Sequence, residues 1–166
     1  RKNMKLENYI RNVPDFPEEG IMFKDITPML KDKNAFNKAI DLIKEEYTGV
    51  EIDYIIGIEA RGFIIGTPLA RAMSKGFIPV RKEGKLPCEV ITASYELELH
   101  RDAIEPGDKI LIVDDLLATG GTVKASADLV EKLGGEIVGI GFLLELEELN
   151  GREKLEGYDV FSLLKD

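Results

Sequence analysis

Residues 110–122 read Ile110-Leu111-Ile112-Val113-Asp114-Asp115-Leu116-Leu117-Ala118-Thr119-Gly120-Gly121-Thr122. The apolar run Ile110 to Val113, three of its four residues β-branched, predicts a short strand buried on both faces. Two carboxylates follow at its end, and the turn from Asp114 to Thr122 opens a helical stretch, Val123 to Leu133, closed by Gly134-Gly135. The same order occurs upstream. Tyr54-Ile55-Ile56-Gly57-Ile58 is a strand, Glu59-Ala60-Arg61-Gly62 a turn, and Phe63 to about Ser74 a helix. A third apolar run, Glu136 to Leu144, follows the second helix. Buried strands alternating with helices predict an α/β fold around a mostly parallel sheet with βαβ crossovers.

Outward from this centre the signals are local. Ala39, Leu42 and Ile43 stand at helical spacing within a helix from about Ala35 to Glu46, for which Asn34 is the expected N-cap. Val13-Pro14-Asp15-Phe16-Pro17-Glu18-Glu19-Gly20 is turn chemistry and predicts an irregular arm. Glu89 to His100 alternates apolar and polar residues, the mark of strands with one wet face. With no internal repeat and no linker, the sequence predicts one domain over 1–166.

Composition narrows the function classes. Hydrophobic residues are 44% and charged residues 32%, the balance of a chain that folds around a core. The formal charge of −9 argues against a nucleic-acid binder, so any anion site must be local. One cysteine, Cys88, forbids an intrachain disulfide and suits a reducing cytoplasm; one histidine, His100, excludes a multi-His metal centre. No apolar run approaches the roughly 18–20 residues of a membrane span. Arg1–Asn8 has no apolar signal core. The expectation is a soluble cytoplasmic protein, with neither nucleic acid nor membrane as partner.

The central motif carries the chemistry. Ala118 to Thr122 offers small side chains, backbone N–H groups and two hydroxyls at the positive end of the following helix, an anion cradle suited to phosphate. The Walker pattern fails, because Gly121 is followed by Thr122-Val123; the dinucleotide fingerprint fails, because Asp114 and Asp115 precede the glycines. Two carboxylates beside a phosphate need another task, and accepting hydrogen bonds from a ribose diol, with Mg²⁺ nearby, is one.

Val113 to Thr122 resembles the phosphoribosyl-pyrophosphate loop of type I phosphoribosyltransferases, and Leu116-Leu117-Ala118 is the version found where adenine is the acceptor base. The resemblance also takes in Phe16-Pro17, Gly20 to Ile26, Arg61-Gly62-Phe63, Arg81 to Pro87, Ser94-Tyr95, Asp102-Ala103 and Gly151-Arg152-Glu153-Lys154-Leu155, in the family's order. It implies a central mostly parallel sheet flanked by helices, a small hood from the arm (about 1–34) and a flexible flap hairpin (about 81–103). It further implies transfer of the phosphoribosyl group from 5-phosphoribosyl 1-pyrophosphate to adenine, giving AMP and pyrophosphate, with Mg²⁺ held mainly through substrate and water. A homodimer is implied as well, with the flap reaching pyrophosphate in its own or the neighbouring subunit.

The family's roles fall on particular positions. Asp114, Asp115 and Ala118, Thr119, Gly120, Gly121 and Thr122 bind the ribose 5-phosphate. Glu59 and Ala60, through a cis peptide, bind pyrophosphate together with Arg61, Arg81 and Lys85. Met22, Lys24 and Leu116 enclose adenine. Arg61, Asp115 and Glu98 are the expected catalytic positions. Two alternatives stay open, a sister transferase for another nucleobase and a non-catalytic regulator that binds the same donor. One departure concerns Glu98. Ser94-Tyr95-Glu96-Leu97-Glu98 runs into Leu99-His100-Arg101 without the Gly, Asn or Asp of the family's hairpin tip. The sequence therefore predicts that tip residues are missing near Leu97–Leu99, or that the stretch is one extended strand.

Overall fold

The computed structural model describes residues 3–166. The first two residues of the expected arm, and with them the start of Arg1–Asn8, lie outside the described residues. Two short strands, β1 (Arg11–Pro14) and β2 (Met22–Asp25), pair antiparallel as a separate hood. Val13 and Pro14 therefore belong to a strand; only the connection from Asp15 to Ile21 is irregular. Helices α1 (Thr27–Lys31) and α2 (Lys33–Glu46) follow. The cap of α2 is Asp32, whose carboxylate accepts from the Asn34 and Ala35 amides at 2.9 Å each, so the expected Asn34 cap moves two residues back.

The rest of the chain builds a seven-stranded sheet. In chain order it runs β3 (Tyr54–Ile58), α3 (Arg61–Met73), β4 (Gly76–Lys82), β5 (Val90–Ala93), β6 (Leu97–His100), β7 (Lys109–Leu117), α4 (Gly121–Lys132), β8 (Glu136–Glu145) and β9 (Val160–Lys165). Across the sheet the order is β5-β6-β4-β3-β7-β8-β9. The pairs among β4, β3, β7, β8 and β9 are parallel, and β6 joins β4 and β5 antiparallel. The mostly parallel α/β reading is correct.

Alternation along the strands divides the core. Ile56 and Ile58 of β3 and Ile110 and Ile112 of β7 face α4; Ile55, Leu111 and Val113 face α2 and α3. All seven are essentially inaccessible to solvent, and each such burial stabilises the fold by about 1.5–3 kcal/mol. No helix among the described residues is long and apolar enough to cross a membrane.

Of the two expectations for the stretch near Leu97–Leu99, the single extended strand is corrected. β5 and β6 form an antiparallel hairpin with Ala93 opposite Leu97, closed by the 3₁₀ turn Ser94–Glu96. Tyr95 and Glu96 supply the positive φ angles, 64° and 56°, that glycine or asparagine ordinarily provides. The turn thus lies ahead of Leu97, and Leu97 to His100 is continuous strand. Leu97, Glu98 and Leu99 are all buried, so β6 has no wet face.

Candidate active site

β3 and β7 are neighbours, yet the chain leaves β3 for β4 on one side and returns as β7 on the other. Such a switch point opens a crevice beyond the carboxyl ends of the two strands. A cavity of about 250 Å³, open to solvent, lies there, lined by Glu59, Ala60 and Arg61 after β3, Lys82 at the end of β4, and Asp114 to Val123.

β7 runs farther than the sequence suggests. Asp114 still pairs with Phe142, and Leu116 with Leu144, so both acids sit inside the strand and the loop proper shrinks to Ala118–Gly120. Gly120 has φ +86°, and α4 starts at the next residue. This left-handed step turns the chain into a helix whose first amides have no intrahelical partner, at residues that line the cavity, the arrangement that suits an anion.

Across the crevice the Glu59–Ala60 bond is cis, as the resemblance implies. Arg61 opens α3 and reaches Asp115 through Nε at 3.0 Å, although Asp115 is only 4% exposed. Gly62 lets that turn approach, since a Cβ there would lie 2.9 Å from Asp114 Oδ1. Burial, and then the charge of Asp115, push the Asp114 carboxyl well above the usual carboxylate range; the Asp115 amide, donating to Asp114 Oδ1 at 2.9 Å, and Arg61 oppose this only in part. Burial also pushes Glu59 up, but the Lys82 amide at 3.2 Å and the Arg81 guanidinium at 2.9 Å outweigh it and hold the carboxyl below its usual range.

The structure therefore brings Glu59, Ala60, Arg61, Asp114, Asp115, Leu116 and Ala118 to Thr122 into one cavity. The other expected positions stand apart. Arg81 acts on the crevice through Glu59, and Lys85 is exposed and does not line it. Glu98 is 3% exposed, accepts the Leu86 amide at 3.0 Å and is absent from the lining. Met22 and Lys24 border a second cavity with Leu146, Glu147, Glu148 and Asp166, where Lys24 pairs with Asp166. The hood meets the first cavity at Phe23, whose ring lies 6.0 Å from the Arg61 guanidinium carbon.

Sequence reasoning took Lys82 only as part of the basic flap and Gly151 only as part of a quoted segment, and gave neither a place of its own in the site. Lys82 would have followed from reading Gly76–Lys82 as a parallel strand, since the residues at such strand ends reach the crevice. A Cβ on Gly120 would fall 2.5 Å from the Gly151 carbonyl, so the quoted Gly151–Leu155 segment is the floor on which the loop rests.

No cluster of three or more His, Cys, Asp or Glu side chains suited to a metal occurs among the described residues. Asp114 and Asp115 offer two carboxylates in the cavity, which fits Mg²⁺ bound mostly through substrate oxygens and water.

Comparison with known proteins agrees with this geometry. The phosphoribosyl transferase domain family matches residues 27–165. The adenine phosphoribosyltransferase of Halothermothrix orenii is 67% identical over 170 residues, covering 98% of this chain and all of that protein. Among solved structures, adenine phosphoribosyltransferase of Thermoanaerobacter pseudethanolicus superposes with a TM-score of 0.94 at 54% identity, over 97% of this chain and 98% of that one. The Saccharomyces cerevisiae enzyme, complexed with D-2,5-dideoxy-2,5-imino-altritol 1,6-bisphosphate and adenine, gives 0.90 at 43% identity over 95% of both chains.

Proposed function

The chain belongs to the phosphoribosyl transferase domain family and, within it, to the adenine phosphoribosyltransferases, and from that we infer its reaction. It transfers the phosphoribosyl group from 5-phosphoribosyl 1-pyrophosphate to adenine, giving AMP and pyrophosphate in purine salvage. The observation that carries this reading is the acid pair, loop and helix start at the switch point of the sheet. The alternatives, another nucleobase or a non-catalytic regulator, gain no support from the relatives named above.

The 5′-phosphate sits on the amides of Ala118 to Thr122, and Asp114 and Asp115 accept hydrogen bonds from the ribose hydroxyls. Arg61 and the amides at Glu59-Ala60 face the pyrophosphate, with Lys82 beside them and Arg81 and Lys85 behind. Adenine lies against Leu116, covered by the hood strand that carries Met22, Phe23 and Lys24. Its N9 attacks the anomeric carbon as the bond to pyrophosphate breaks, through an oxocarbenium-like state, and the proton released by adenine passes to the departing pyrophosphate or to solvent. Arg61 has the fork of donors to stabilise charge growing on the leaving oxygens. Asp115 orients that guanidinium through the 3.0 Å contact. Glu98 positions the start of the flap through Leu86.

Mg²⁺, where bound, neutralises pyrophosphate, and Asp114 and Asp115 are the residues that would hold its water shell. The homodimer rests on the family resemblance, and the cytoplasmic location on the lone, exposed Cys88. Assay of a nucleobase panel with the ribosyl donor tests the reading: AMP should form with adenine, and turnover with hypoxanthine or guanine but not adenine would overturn it.

A further inference from the structure

The segment on which the loop rests is tied down by an ion pair outside the cavity. Glu145, 5% exposed, ends β8 and stands in register with Leu117, the last residue of β7 before the loop. Its two carboxylate oxygens accept Arg152 Nε at 2.9 and 3.0 Å, and one of them also takes Nη2 at 2.9 Å. Ser162 of β9 donates to the same carboxylate at 2.7 Å, and Arg152 Nη1 donates to the Val160 carbonyl at 3.1 Å. Burial pushes the Glu145 carboxyl up, but Arg152 and Ser162 outweigh it and hold the group below its usual range. Gly151, the neighbour of Arg152 in the chain, packs its backbone against Ala118 and Gly120. Neither Glu145 nor Arg152 lines the cavity.

We propose that the Glu145–Arg152 pair braces the phosphate loop: it fixes Gly151 beneath Ala118 and Gly120, and so sets where the loop amides meet a 5-phosphate. Both are positioning residues. A buried ion pair is a poor source of stability, because desolvating the charges offsets most of their attraction. What it supplies is geometry, since the planar guanidinium meets a carboxylate in few orientations and a satisfied network resists displacement. The contact it serves needs that help. Where Gly151 meets Gly120, glycine faces glycine, and neither has a side chain to lock the two backbones in place. The 3₁₀ turn Gly151–Leu155 is held at its far end by Leu155, 1% exposed, and at its near end by Arg152. The proposal rests on the assignment of the loop as the phosphate site.

A double variant, Glu145→Leu with Arg152→Met, tests it, because it removes both charges and strands neither. Its melting temperature should stay at or above the native one. Calorimetry with ribose 5-phosphate, well below the onset of melting, should nonetheless show affinity reduced about tenfold or more. In steady-state assays the KM for the ribosyl donor should rise with it, while kcat at saturating donor stays within about twofold of native. If the double variant does not fold, Arg152→Lys, which keeps the charge and loses the fork, carries the same measurements, with affinity reduced about threefold or more. Native affinity in whichever variant folds would overturn the brace, and so would a fall in kcat at unchanged donor KM. Native enzyme that binds no ribose 5-phosphate would instead overturn the loop assignment beneath it.

Discussion

Gly120 and Gly151 meet so closely that each excludes a side chain on the other: a Cβ on Gly120 would stand 2.5 Å from the Gly151 carbonyl oxygen, and one on Gly151 would overlap the Ala118 carbonyl and lie 2.7 Å from Leu117 Cδ1. Gly151 itself does not line the cavity. Gly151→Ala should therefore push the loop without touching ligand. We expect ribose 5-phosphate affinity to fall about tenfold, roughly 1.4 kcal/mol, with a lower melting temperature. Calorimetry that finds native affinity would show the loop to be indifferent to its floor.

Asp114 sits where burial and a neighbouring carboxylate disfavour its charge. Its folded carboxyl holds a proton to higher pH than the ordinary value of 3.8, because it is desolvated and faces Asp115. Folding thus takes up a proton in that window, and stability falls as pH rises from the ordinary value through the raised one. Asp114→Asn should remove this slope and raise the melting temperature of the unliganded protein at neutral pH. It should also weaken AMP binding by about 1.5–3 kcal/mol, the worth of a charged hydrogen bond. Melting curves across pH and AMP titration check both halves; a variant less stable than native at neutral pH contradicts the sign.

The flap cations should differ in weight. Lys82 lines the cavity, whereas Lys85 is exposed beyond it. Lys82→Ala should raise the Kd for Mg-pyrophosphate about tenfold and Lys85→Ala by less, with adenine binding almost unchanged in both. Isothermal titration of each variant decides the order. If Lys85→Ala is the more damaging, the flap closes over the ligand in a way that brings Lys85 inward.

Tyr47 offers a test of stability far from the chemistry. Its ring lies over Gly139 and Gly141 of β8, where a Cβ on Gly139 would come 2.8 Å from Cε1. Its hydroxyl is buried without a hydrogen-bond partner among the described residues, and burial drives its pKa upward. Tyr47→Phe keeps the ring and removes the unsatisfied oxygen, so unfolding free energy should rise by about 1 kcal/mol. Urea denaturation measures this, and a loss of stability would mean that the oxygen has a partner after all.

Local signals in the chain specify the parallel α/β core and the acid–loop–helix motif. Runs such as Ile110 to Val113 can only be satisfied between two packed layers, and Gly120-Gly121 is needed wherever backbone must turn left-handed or be closely approached. Those are properties of a few adjacent residues, so they are legible without the fold. What only tertiary structure decided is which distant residues supply partners. β7 continues through Asp114 to Leu117 because Phe142 to Glu145 lie beside it, and a strand ends where its neighbour stops bonding. Lys82 reaches the crevice through strand order, and Gly151 comes to lie beneath its loop through packing, each across 30 or more positions of chain. Propensity reads the backbone one residue at a time; hydrogen-bond partners brought from afar are what override it.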